Sequence, residues 1–507
     1  MKSYRPNQLA AAGIIAAAFI LLRISGLTSS CLWFDEIFTV HAAEHDWSDL
    51  FSFVALDLIH PPLFYVLLKL WIAIGGEGLL WLRLLPFGFA VLSLPAFFLL
   101  CRELEIKPWT QILALVLISV NGSLIKYAQE VRMYSALICL SLLSIWLFAR
   151  YFRRGKSIVP LVIINICLVY IHYFGALVFG SEIAVILIFQ RTNWRRVVLM
   201  SCAVFASFAP WIIAVFGVIR AGQDVGENIS WIKRPGIREI KLLLIDLVEP
   251  FYFQATTSDP VTLLKVAGPI FLLTLLACML LLIGWKKQVE NDKQNVYFVS
   301  IFILLPIAIS FVASWILPYS VWGTRHLIII FFPAAILIAH GFMTIWVKWL
   351  RILLITLLLL FKCFGFVTNI SRPFATPIWC GYDALTQKAV TDEAAPIYVF
   401  EDLIAYHVWF TLRNDPNRVE IYKINDFSDM QEDKAFFLPR GFDGVSKINF
   451  VNVKDEQLWI IYRTKEWDPD ISPIREFSDA GYVVDDKMVF ESDIANVYAV
   501  HLKRPSG

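Results

Sequence analysis

Apolar runs of about 17 to 25 residues, the length that crosses a bilayer as helix, recur along this chain from its first residues to about position 367. They fall near residues 9–27, 81–101, 110–126, 133–151, 158–171, 174–190, 197–218, 262–285, 296–317, 326–346 and 352–367. Two of them, 158–171 and 174–190, are short and are parted only by His172-Tyr173. With 58% hydrophobic residues and a mean hydropathy of +0.66, a soluble globular fold is excluded. The pattern predicts a polytopic all-α membrane protein with about 11 transmembrane helices. The first run has no small-residue cleavage site and reads as an anchor, not a removed signal.

Basic residues give the expected sidedness. Clusters at Lys2/Arg5, Arg102/Lys107, Arg150/Arg153/Arg154/Lys156, Arg191/Arg195/Arg196, Lys286/Lys287/Lys293 and Lys348/Arg351 all fall on one face if eleven spans alternate. That face is the cytoplasmic one. The parity holds only if the short apolar segment His60-Pro-Pro-Leu-Phe-Tyr-Val-Leu-Leu-Lys-Leu-Trp71 does not cross, so it is expected to lie as an interfacial or re-entrant helix on the outer face. Residues 28–80, 127–132, 220–260 and 318–325 then share that outer face, together with everything after about residue 369. An inner (plasma) membrane location, with an extracytoplasmic site and tail, is the expectation.

Residues 28–62 contain no Lys or Arg and carry an acidic pair in an aromatic frame, Trp33-Phe34-Asp35-Glu36-Ile37-Phe38. A carboxylate held in a partly desolvated place gains basicity, which makes Asp35 and Glu36 candidates for chemistry. A tight turn follows residue 126, in Lys126-Tyr127-Ala-Gln-Glu130-Val-Arg132-Met-Tyr134, and pairs acid with base between tyrosines. Span ends often carry snorkelling cations and an aromatic belt. The pairing of Glu130 with Arg132 in so short a turn points instead to function.

Two further outer turns add His172-Tyr173-Phe174 and Pro318-Tyr319-Ser-Val-Trp-Gly-Thr-Arg325-His326. A guanidinium at the depth of Arg325 can grip a phosphate with two hydrogen bonds. Glu182 and His340 lie inside apolar runs, where ionisable groups are expensive, and are given no role. The basic, amphipathic stretch of residues 230–250 breaks the charge trend, which fits either an interfacial helix on anionic headgroups or a collector of an anionic lipid substrate.

The tail is rich in charge and punctuated by Pro416, Pro439, Pro469 and Pro473. Short apolar segments at 396–400 and 458–462 alternate with a helical stretch at 404–413, so a small α/β domain is expected over residues 370–507, set apart from a membrane domain of residues 1–369. A cap or acceptor-recognition role suits it better than catalysis. The net charge of +2 is uninformative, the tail has no nucleotide fingerprint, and no nucleic-acid partner is expected. The eight cysteines lie singly, without C-x-x-C spacing. Cys31 and Cys380 alone fall outside the spans; a bridge between them is the alternative, but lone cysteines are usually small hydrophobes, and that is the expectation here.

The order of these motifs resembles the integral-membrane GT-C glycosyltransferases, in particular the prokaryotic relatives of dolichyl-phosphate-mannose protein mannosyltransferase and of the aminoarabinose lipid A transferase. The likeness covers roughly residues 1–370. It rests on an anchor, an Asp-Glu pair, His-Pro-Pro-Leu-Phe-Tyr, Tyr-Ala-Gln-Glu-Val-Arg-Met-Tyr-Ser, His-Tyr-Phe and Arg-His, in that order. The resemblance implies transfer of a sugar from a polyprenyl-phosphate donor to an envelope acceptor hydroxyl on lipid, polysaccharide or protein. By position it makes Asp35 the general base and Glu36 its neighbour, with Glu130 a further catalytic residue that completes the site together with Arg132. His60, Lys126, Tyr127, Arg132, Tyr134, His172, Arg325 and His326 would bind substrate. Some relatives carry Asp at the place of Glu130 and a Lys near the His-Pro-Pro element, where this chain has none before Lys69.

One carboxylate near the acceptor hydroxyl is the minimum apparatus for such a displacement, and a lipid-phosphate leaving group wants Arg, Lys or a metal. Asp35 with Glu36 could take a divalent cation, though two adjacent carboxylates without a third ligand are a weak metal signal. A transporter or flippase of lipid-linked envelope precursors is the alternative. Its usual marks are inverted repeats and charge at mid-membrane, whereas here the polar residues collect at one face and no internal repeat is evident.

Overall fold

A helix that stops inside an apolar protein leaves carbonyls without partners, and this chain stops one at Ser119. The run expected as a single span at 110–126 is two helices, Pro108–Ser119 and Gly122–Gln129, bent by 61°. Two buried cations satisfy the first helix's exposed end. Arg23 donates to the carbonyls of Ile118 and Ser119 at 3.0 and 3.1 Å, and Lys362 donates to those of Val120 and Val248 at 2.8 and 2.9 Å. Asn121 caps the second helix by accepting from Leu124 N at 2.9 Å, while Glu249 takes Ser123 N at 3.1 Å. The bend has a further consequence: residues 127–129, expected to belong to a turn, are helical, and the turn is confined to Glu130–Met133.

The computed structural model describes residues 4–189, 194–250, 268, 272–280, 284, 290–371, 377–416, 419–427, 438–492 and 495–505. Seven helices among them are long and apolar enough to cross a membrane: Pro6–Ile24, Leu79–Glu103, Tyr134–Arg154, Trp194–Arg220, Asp292–Ile316, His326–Met343 and Lys348–Ser371. The bent pair makes an eighth if it is one span. Leu63–Gly75, Val159–Ile171 and Gly175–Phe189 are apolar but shorter. The first of these, 13 residues long, reaches roughly 20 Å, less than the roughly 30 Å of a bilayer core. Most of the expected span at 262–285 lies outside the described residues, as do Lys2, Arg191, Lys286 and Lys287.

The chain divides into two compact units, one of residues 1–27, 58–253 and 257–373, the other of residues 28–57, 254–256 and 374–507. In the first, the Leu79–Glu103 helix packs along Tyr134–Arg154, and Pro108–Ser119 sits between Phe331–Met343 and Pro6–Ile24. Three helices of this unit are joined by a buried polar knot. Ser144 donates to Glu182 at 2.5 Å, and Asn165 Nδ2 donates to the other carboxylate oxygen at 2.7 Å. This accounts for the intramembrane carboxyl as a paired structural group.

In the second unit, Phe34–Glu44 and Trp47–Asp57 group with the tail, not with the helices that flank them in sequence. Here the structure corrects an expectation, because Cys31 and Cys380 form a disulfide with their Cα atoms 5.3 Å apart. Their separation of 349 residues hides the pairing from any local reading. Arg413 adds a forked ion pair to Glu44 at 2.6 Å, and His41 bonds the Tyr406 hydroxyl at 2.7 Å. The tail itself is a six-stranded mixed sheet in the order β3-β2-β1-β4-β6-β5, from Ser446–Ile448 (β3), Ile421–Ile424 (β2), Ile397–Val399 (β1), Gln457–Thr464 (β4), Asn496–Lys503 (β6) and Val483–Phe490 (β5). The first three pairings are parallel and the last two antiparallel. The short apolar segments near 396–400 and 458–462 are its central strands, and Asp402–Leu412 is the expected helix.

Candidate active site

Five separate stretches of the first unit bring ionisable and aromatic groups to one place. Lys126 and Tyr127 ride on the short Gly122–Gln129 helix, Glu130 and Arg132 on the turn after it, and Tyr134 opens the next helix. Lys126 Nζ stands 3.7 Å from Glu130, a pairing its spacing of four permits. The turn is closed by Arg132 N donating to Glu130 O at 2.7 Å. Tyr127 and Tyr134 rings lie 4.8 Å apart, and Ser135 ties the helix start back to Tyr127 O at 2.8 Å.

Arg132 is buried, and its Nη2 donates to Nε2 of His60 at 3.3 Å, which places the proton of a neutral His60 on Nδ1. The two-proline element that follows His60 starts the Leu63–Gly75 helix and so fixes where that ring stands. His60 in turn lies 5.7 Å from His172, and His172 lies 5.2 Å from His326. Arg325 carries its guanidinium 5.6 Å over the Trp231 ring. His326 begins a tight 3-10 turn, His326–Ile330, ahead of the Phe331–Met343 helix.

His172 is the most telling of these residues. Its Nδ1 accepts the Phe174 amide at 3.0 Å, so a neutral ring must carry its proton on Nε2. Burial, and then the charges of His60, Arg132 and Arg325, hold its pKa well below the ordinary histidine value, so the ring is neutral. Nε2 is buried and has no hydrogen-bond partner among the described residues. A buried donor left unpaired costs about 1–3 kcal/mol, an arrangement that suits a substrate oxygen.

Asp246, at the end of the Ile237–Asp246 helix, joins the cluster although the sequence did not single it out. Burial pushes its carboxyl up to about 7, against the opposing effects of a hydrogen bond from Thr324 and the nearby charge of Lys126. It also acts electrostatically on Tyr127, as do Glu130 and Arg325. The signal that would have found it is a lone Asp in the apolar run Leu-Leu-Leu-Ile-Asp-Leu-Val.

Asp35 and Glu36 belong to the second unit. They are the second and third residues of the Phe34–Glu44 helix, where the helix dipole favours negative charge. Glu36 is 1% exposed and accepts Trp33 N at 3.1 Å, so it caps this helix end. Asp35, by contrast, is half-buried. Among the described residues no third His, Cys, Asp or Glu ligand gathers with this pair. The group with ligand-like spacing is Glu393, Asp485 and His501 in the tail. There the ammonium of Lys503 already sits 3.2 and 3.0 Å from the two carboxylates.

The architecture is that of the integral-membrane GT-C fold. The structure of ArnT from Cupriavidus metallidurans in the apo state superposes with a TM-score of 0.56 at 12% identity, covering 97% of this chain and 98% of that one. The same protein bound to undecaprenyl phosphate gives 0.53 at 12% identity, with 97% of each chain covered. The arabinofuranosyltransferase AftD from Mycobacteria gives 0.52 at 12% identity over all of this chain, which spans 40% of that longer protein. No family profile matches the chain, and no curated protein sequence matches it.

Proposed function

We propose that this protein is a membrane glycosyltransferase that moves a sugar from a polyprenyl-phosphate carrier to an acceptor hydroxyl of the cell envelope, at the extracytoplasmic face of the inner membrane. The observation that carries the reading is the buried cluster of Arg132, His60 and His172 beside Arg325 and Lys126, with the unpartnered His172 Nε2–H in its midst. Such a set of fixed donors suits the phosphate of a departing lipid, whose negative charge grows as the sugar leaves. A fold shared with ArnT, in a structure bound to undecaprenyl phosphate, supports the same reading.

In the proposed reaction the acceptor oxygen attacks the anomeric carbon as the bond to the carrier phosphate breaks. The hydroxyl proton passes to a carboxylate. The place of Asp35 in the motif order makes it the proposed base, and Glu36 acts as a positioning residue through its cap on the same helix end. Glu130 holds Lys126, while Tyr127, Tyr134 and His326 line the donor's sugar and phosphate. The tail, proposed as residues 370–507 and extracytoplasmic, would select the acceptor.

The test is sugar transfer from a polyprenyl-phosphate-linked donor in membranes carrying wild type, D35N or R132A. A fall of about 10²-fold or more in both variants is expected. Near-normal turnover with D35N removes that residue as base. Near-normal turnover with R132A removes the cluster as the phosphate site.

A further inference from the structure

The Glu290–Ile316 helix carries a shallow, open groove on one face, whose described lining is Ala308, Ile309, Val312, Ala313, Ile316 and the following Leu317. Among the described residues no polar side chain lines it. Ile316 is 76% exposed and Val312 51%, so the groove opens along its length toward whatever surrounds the helix. From Ala308 to Leu317 it extends roughly 14 Å.

A guanidinium stands at its end. Arg234 Nη2 lies 3.4 Å from the carbonyls of both Leu317 and Pro318, and its head sits 5.7 Å over the Trp315 ring. The segment that brings it there is clamped to the helix end by Trp315 Nε1 donating to Pro235 O at 3.0 Å and by Ser320 donating to Lys233 O at 3.0 Å. Lys233, Arg238 and Lys241 are exposed on the same stretch, with Glu239 turned to the Gly236 amide at 2.8 Å. Trp231 and Trp315 are each about half exposed, which suits the headgroup level of a bilayer.

The geometry points to a seat for one anionic glycerophospholipid of the surrounding bilayer, with an acyl chain in the Ala308–Leu317 groove and its phosphate at Arg234 and Lys233. Charge complementarity selects the occupant, since Lys233, Arg234, Arg238 and Lys241 fall within nine residues of one stretch and Arg234 stands at the end of a groove whose described lining is apolar. The seat is formed by exposed groups, whereas the cluster proposed to hold the sugar donor is buried. The inference therefore stands whether or not the transferase reading does.

Native mass spectrometry of the delipidated full-length protein tests it, by titration with phosphatidylglycerol or with phosphatidylcholine of the same chains. Wild type should bind the first phosphatidylglycerol at least tenfold more tightly than phosphatidylcholine. R234Q should reduce that preference roughly fivefold, and K233Q/R234Q should abolish it. A313W, which fills the slot and leaves the cations in place, should weaken both lipids. Equal binding of the two lipids by wild type, or an undiminished preference in K233Q/R234Q, would overturn the inference. So would displacement of phosphatidylglycerol by undecaprenyl phosphate at equal stoichiometry, because the seat would then belong to the donor lipid.

Discussion

Arg132 and His60, 72 residues apart, are joined by a hydrogen bond of 3.3 Å inside the helical unit. The bond ties the turn after the broken helix to the two-proline element. Replacing Arg132 by Lys keeps a charge but loses the planar fork that can serve His60 and a phosphate together. R132K should lower sugar transfer by at least tenfold, mostly in kcat/KM, while the protein still folds. Transfer assays alongside thermal unfolding check this, and wild-type kcat/KM in R132K would show that charge alone suffices.

At His172 activity and stability should part. Phe at this position removes the buried, unpartnered Nε2–H and fills similar space among Tyr134, Phe174 and His326. H172F also takes the Nδ1 acceptor from the Phe174 amide, a loss of about 1–3 kcal/mol that offsets the gain from removing the unpartnered Nε2–H, so stability should stay close to wild type while KM for the lipid-linked donor rises. A variant that unfolds more easily and binds donor normally would assign His172 to structure instead.

Asp246 makes stability depend on pH. Below about pH 3 its carboxyl is protonated in folded and unfolded chains alike. As pH rises toward 7 the unfolded chain releases that proton while the folded one, with its carboxyl pushed up to about 7 by burial, retains it. The carboxyl's contribution to stability is therefore lost across that window and changes no further well above it. D246N, neutral throughout, should lack this decline. Melting temperatures of both proteins from pH 4 to 8 decide the matter, and parallel curves would refute the assignment.

The motifs that place the candidate site were legible because each is local: a His before two prolines, an acid and a base two residues apart, an Arg-His at the head of an apolar run. Their approach to one another was inferred from alternation of spans, and within the first unit it is met by the 5.7 and 5.2 Å chain from His60 through His172 to His326. What the sequence concealed is long-range. Nothing local says that Cys31 meets Cys380, that Lys362 reaches back to Val120, or that residues 28–57 fold with a domain more than 300 residues onward. Asp246 was hidden for another reason, since an amphipathic basic stretch is an ordinary interfacial helix until its last turn is seen beside Thr324 and Lys126.

The disulfide should act on the second unit alone, because both cysteines belong to it. It closes a long loop, and its loss should cost about 2–4 kcal/mol. C31S, C380S and the double variant should all melt at the same lowered temperature, and a reductant should bring wild type to that value without affecting the variants. A reductant that lowers all four proteins equally would place the effect elsewhere.

The bend between Pro108–Ser119 and Gly122–Gln129 supplies the last test, because it aims Lys126 and Tyr127. Lys362 holds Val120 O and Val248 O, and Arg23 holds Ile118 O and Ser119 O, so the open helix end is satisfied from two sides. K362M keeps the side-chain length, removes the donor and leaves two buried carbonyls without it, at a cost of about 2–4 kcal/mol. Because the bend sets the position of the short helix, transfer should fall as well. R23M should behave alike, and since both cations serve one helix end, the double variant should depart from the sum of the two. If K362M melts and turns over like wild type, the bend is held by the Asn121 and Glu249 caps on its other side, and the cation is dispensable.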